Sequence, residues 1–241
     1  MPPVPWAGWR AVLDVLVIFI GAQIVAGAVT AAVTGGGAAE RLVLPVLLVM
    51  SPLGSLVVAF VWLRLRYPGR LRALLGTRPA VPSDLWIGAA VGIACLLGQR
   101  VIVFAIAVVA DRLGVELPAV QETFRTIAQQ PETVPVLVVS TVLLAPVAEE
   151  VVFRGLLFQG LRARTGFWVA ALVSALMFTL AHLGEGGGLL AGGVIVSGIL
   201  PLGVVFAALL DRRGSLVAAI AAHATYNAIG VAALVLIPSQ V

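Results

Sequence analysis

Stretches of about 20 apolar residues recur along the whole chain, at 11–34, 42–64, 85–110, 135–158, 166–185, 189–210 and 215–237, each long enough to cross a ~30 Å hydrocarbon core as a helix. Lipid leaves no solvent for unpaired backbone groups, so a spanning segment must be a helix or a strand of a closed barrel. These runs lack the apolar/polar alternation of barrel strands. Composition agrees: the chain is 61% hydrophobic and 11% charged, with a mean hydropathy of +1.12, against roughly 45–50% and roughly 25% in soluble domains. A soluble core is excluded. The expected fold is all-α, a polytopic membrane helix bundle of about seven transmembrane helices, or eight.

The first run, Ala11 to Val33, exceeds the 7–15 residues of a signal-peptide core and reads as a retained span. Between the third and fourth runs, segment 111–134 predicts a short helix, Ala119 to Gln130, flanked by Pro118 and Pro131. It is too polar and too short to span, and reads as an external or interfacial element. The lone cysteine, Cys95, excludes an intramolecular disulfide and a cysteine metal site.

All 15 basic residues are arginines, in a chain otherwise heavy in Ala, Val, Gly and Leu, which reads as a GC-rich bacterial genome rather than as a nucleic-acid footprint. No nucleic-acid partner is expected; the lipid bilayer is. Positive charge concentrates in three links: Arg64 to Arg78, then Arg162 with Arg164, then Arg212 with Arg213. Alternating spans put all three on one side, opposite the acidic or balanced links. Because positive loops stay inside, the chain is expected to be a multi-pass protein of the inner (cytoplasmic) membrane with a cytoplasmic N-terminus. Asp14 and Arg100, near or within spans, have no spacing that links them. Arg100 and Gln99 can instead line a cavity.

Ionisable groups at bilayer depth cost at least ~2.5–3.5 kcal/mol each, so those retained there point to function. The only two histidines of the chain lie inside apolar runs, each with a partner at helical spacing: Phe178 with His182, and His223 with Asn227. A third run holds Glu149, Glu150 and Arg154. Adjacent helical residues point about 100° apart, so the two glutamates cannot share a face, whereas Glu150 and Arg154 at i,i+4 can pair. Glu149 then remains as a free carboxylate suited to a general base. The reverse pairing, Arg154 with Glu149 through a bent helix, is the alternative, and Pro146 just before the pair supplies a cause for a bend.

Each set taken alone has an ordinary packing explanation, such as a buried ion pair or an interhelical hydrogen bond. Three helices that each carry polar groups at bilayer depth are not explained by three independent accidents. A carboxylate with two imidazoles can bind Zn²⁺ and activate water, or act directly as base while His and Asn stabilise an oxyanion. Both routes hydrolyse. Covalent catalysis has little support, with Ser174 eight residues before His182 and Ser197 isolated.

In their order on successive apolar helices, Glu149-Glu150-x-x-x-Arg154, Phe178-x-x-x-His182 and His223-x-x-x-Asn227 resemble the CPBP family: the CAAX proteases and the bacteriocin-processing or immunity proteins of the Abi type. The resemblance covers about 135–237. It divides the chain into an N-terminal transmembrane region, 1–134, with about three spans and a polar loop, and a catalytic helix bundle, 135–241, with about four spans. It implies an intramembrane endopeptidase acting on peptides or membrane-protein segments. Glu149 would activate water and His182 assist it or bind metal. His223 and Asn227 would hold metal or the oxyanion, with Glu150, Arg154 and Phe178 in support. A zinc ion on His182 and His223 remains one of two routes, because at 1.5 Å per residue His182 lies about 24 Å along its span and His223 only about 12 Å along its own. The rival readings are a non-catalytic immunity or scaffolding membrane protein and a metal or solute transporter.

Overall fold

The computed structural model describes residues 4–35, 40–118, 122–185 and 188–237. Every long element among them is helical: α1 (Arg10–Thr34), α2 (Glu40–Arg66), α3 (Pro82–Arg112), α4 (Glu122–Ala128), α5 (Val134–Arg162), α6 (Phe167–His182), α7 (Leu189–Arg213) and α8 (Leu216–Leu236). Six are long and apolar enough to cross a membrane, and α6 is a shorter apolar helix. The chain is a polytopic helical membrane protein. Of the expected short helix 119–130, the segment Glu122–Ala128 is helical, while 119–121 lie outside the described residues.

The three arginine-bearing links gather at one end of the bundle, together with the start of the chain. Thr77 N–H donates to the Gly214 carbonyl at 2.8 Å, and Arg78 Nε to the Arg213 carbonyl at 2.6 Å. Arg78 and Arg213 both pair with the fully buried Asp84 carboxylate, at 2.6 and 2.9 Å. Arg162 pairs with Asp211, and Gly8 N–H donates to the Gly160 carbonyl at 2.7 Å. Asp14 pairs with Arg66 rather than Arg100, and also accepts from Trp62 Nε1 and the Tyr67 hydroxyl. Burial, then that hydrogen bond to Asp14, holds the Tyr67 phenol above its ordinary pKa.

Small residues set the helix spacing. The principal partner of α8 is α3, and the approach is close because Gly88 and Gly92, four apart, face the backbone of Ala218 and Ala222. A Cβ at either glycine would collide with a carbonyl oxygen of α8. Gly203 of α7 meets α6 in the same way, where an added Cβ would lie 2.8 Å from Ala175 Cα.

Helix α5 is irregular where the sequence contains proline. Its α-helical turns are interrupted by two wider π-helical stretches, Val139–Leu144 and Glu150–Phe158, on either side of Pro146. Proline has no N–H to donate, and its ring crowds the carbonyl four residues earlier, so the preceding turn relaxes toward i→i+5 bonding. The expected bend is thus realised as two widened turns.

Candidate active site

Four helices converge on Glu149. Its Oε2 lies 3.9 Å from His182 Nε2 and 3.7 Å from His223 Nε2. On the opposite edge of the same imidazole, His223 Nδ1 is 3.0 Å from Glu150 Oε1. The two glutamates do point apart, and one histidine spans the gap between them. Arg154 completes the buried layer: Nη1 pairs with Glu150 Oε1 at 3.0 Å, and Nη2 donates to the Gly203 carbonyl of α7 at 3.3 Å. The Glu150 and Arg154 side chains are fully buried, whereas Glu149 is 25% exposed. The pairing is therefore Glu150–Arg154, with Glu149 turned toward open space.

Aromatic rings hold these groups in place. Phe206 of α7 stacks on His223 with centroids 5.2 Å apart, and Phe178 meets His223 and His182 edge-on at 5.8 and 4.6 Å. The Arg154 guanidinium lies over the Phe178 ring at 4.3 Å. His182, the last residue of α6, has Nδ1 2.8 Å from the Phe178 carbonyl. A carbonyl can only accept, so Nδ1 carries a proton, and Nε2 is the nitrogen that faces Glu149. The contact of His223 Nδ1 with the Glu150 carboxylate orients that ring in the same sense.

The depth mismatch expected between the histidines does not keep them apart, since both reach one carboxylate oxygen. Gly166 and Ser215, where α6 and α8 begin, therefore cannot lie level on parallel helices. Asn227 occupies a different part of the wall: its Nδ2 donates to the Thr141 carbonyl, inside the first widened stretch of α5, at 2.8 Å. Ser174 Oγ is buried and donates to the Phe153 carbonyl at 2.7 Å, a structural bond rather than a nucleophile's setting.

Glu149, His182, His223, Asn227 and Phe178 all open onto one cavity of about 980 Å³, whose wall also takes in Gln99 and Arg100 of α3. Two contributors had no sequence signal: Phe206, in a run with no polar neighbour, and the Gly203 carbonyl, a backbone group. Buried Glu149 Oε2 has no hydrogen-bond partner among the described residues. With both histidines neutral, two nitrogen lone pairs and a carboxylate oxygen face one another with no donor between them. Such a set accepts the hydrogens of a water or the charge of a cation. The donor types suit zinc, with a carbonyl and a carboxylate behind the two imidazoles. The 3.7 and 3.9 Å separations exceed the about 3.3 Å edge implied by Zn–N bonds of about 2.0–2.1 Å, so the three groups are not closed around an ion as they stand.

Residues 131–229, the stretch that contains every group at this convergence, match the family model described as Rce1-like, type II CAAX prenyl endopeptidase. The match supports placing this stretch with the CPBP/CAAX proteases. Neither a curated protein nor a solved structure matches the chain. The match suggests intramembrane protease activity and a peptide substrate, in keeping with a polar site walled by apolar helices.

Proposed function

We propose that the chain is an intramembrane endopeptidase that hydrolyses peptides or membrane-protein segments with water activated by Glu149. The observation that carries this reading is the unpartnered Oε2 of Glu149, set between two imidazole Nε2 atoms on the wall of a large cavity. A water at that point donates one hydrogen to Glu149 and the other to His182. Glu149 takes the proton as the water oxygen bonds to the scissile carbonyl carbon, then passes it to the amine nitrogen as the C–N bond breaks. Asn227 commits one N–H to Thr141 and keeps the second for the oxyanion. Arg154, Glu150 and His223 form a positioning chain: a guanidinium holds a carboxylate that holds an imidazole. A bound zinc ion would be held by His182 and His223 with Glu149, and would polarise the carbonyl or lower the pKa of water. The arginines at one end of the bundle support a cytoplasmic N-terminus in a bacterial inner membrane.

The test uses the full chain in proteoliposomes with a quenched-fluorescence peptide library. Glu149→Ala and His182→Ala are each expected to abolish cleavage while membrane insertion is retained; full activity in either variant overturns the assignment. Chelation separates the two routes. Cleavage that survives it belongs to the glutamate alone, and cleavage that stops and returns with added zinc belongs to the metal.

A further inference from the structure

The cavity that holds Glu149 also holds two arginines that take no part in the chemistry above. Arg100 of α3 and Arg125 of α4 both line it, both are exposed, and neither has a carboxylate partner among the described residues. Five arginines, Arg66, Arg78, Arg154, Arg162 and Arg213, are matched to carboxylates of the chain itself; what sets Arg100 and Arg125 apart is that they line the cavity. Glutamines accompany the arginines there: Gln99 and Gln129 line the same space. Among the described residues, the only carboxylate lining the cavity is Glu149. Among the described residues, two guanidiniums therefore line the cavity against one carboxylate.

An unpartnered guanidinium beside apolar helices is costly unless something arrives to pair with it. Its planar fork matches a carboxylate bidentately, and walls of low polarity strengthen the attraction. Neither arginine lies within 131–229, so this feature belongs to the part of the chain outside the family match. We infer that Arg100 and Arg125 form a specificity subsite that binds a carboxylate of the substrate, from its C-terminus or an acidic side chain. The inference rests on the peptidase reading for its consequence in turnover, but not for the binding itself.

Two measurements separate them. The purified full-length Glu149→Gln protein is titrated with one fluorescent decapeptide in three forms: free C-terminal acid, C-terminal amide, and the amide carrying one internal Glu. Binding at least tenfold tighter for the acid or for the Glu-bearing amide is expected. Which of the two gains identifies the source of the carboxylate. Adding Arg100→Gln or Arg125→Gln should bring the ratio to within about twofold of one, and Arg100→Lys should restore part of it. The wild-type protein is then given a peptide library in paired acid and amide forms, and the ratio of kcat/KM values should follow the binding ratio. Equal binding of all three decapeptides overturns the subsite, whatever the turnover. Equal binding together with a rise in Tm on adding phosphatidylglycerol vesicles, lost in Arg100→Gln, would overturn it in favour of lipid. A retained binding preference without cleavage of any peptide would sustain the subsite and overturn the peptidase.

Discussion

Glu149 and Glu150 are neighbours in sequence with opposite environments, and that contrast yields two different mutational signatures. Glu149 touches the open cavity and carries no structural bond, so Glu149→Gln should leave Tm within about 2 °C while kcat falls at least about 10²-fold, the lower range of a lost general base. Arg154 is wholly buried and neutralises a wholly buried partner. Arg154→Met strands the Glu150 charge and should destabilise by about 3–5 kcal/mol, read as a fall in the denaturation midpoint in detergent. The double variant Glu150→Leu/Arg154→Met removes both charges and should recover much of that stability. Activity should stay lost, because His223 no longer has the carboxylate at Nδ1 that aims its other nitrogen. Recovery of cleavage in the double variant would remove Glu150 from the positioning chain.

At the scale of elements, the widened turns of α5 and the glycine contacts of α3 carry separate predictions. Pro146 divides two π-helical stretches, and the second begins at Glu150 itself. Supplying the missing N–H with Pro146→Ala should let α5 tighten toward regular i→i+4 bonding, rotating Glu149 relative to the two histidines. The expected result is a kcat loss of about tenfold or more with stability equal to or above wild type. A fall in both together would mean that the proline serves packing only. Gly92 lies against the Ala222 carbonyl, one residue before His223. Gly92→Val should push α8 away from α3, lower Tm, and displace His223 from Glu149; an unchanged Tm would contradict the close approach. How legible each element was depended on what made it. The spans were readable because hydropathy is summed over some 20 residues, and the Glu150–Arg154 pairing because i,i+4 neighbours share a face. The shortness of α6 and the π-helical turns were not, since both arise from how the helix meets its neighbours.

The whole molecule has one end rich in arginine, where the start of the chain, the 3-10 turn Leu71–Leu75 and the links before α6 and α8 are tied together. Exposed Trp9, Trp86 and Trp168, each at or near the start of a helix leaving that end, mark a membrane interface. Single cysteines introduced at position 68 and at position 163, in a Cys95→Ala background, should both react with an impermeant maleimide only after inverted vesicles are prepared. Labelling of either in intact spheroplasts would reverse the orientation. The order of helices and the presence of charged groups within them followed from sequence alone, because burial in lipid is a property of each segment taken singly. Which groups meet did not. That Glu149 faces both histidines, that Phe206 supports one of them, that Asp14 pairs with Arg66 and that Arg100 opens into the site all depend on helix rotation and tilt. Those are set by side chains packing between segments far apart in sequence, and only the folded bundle brings them together.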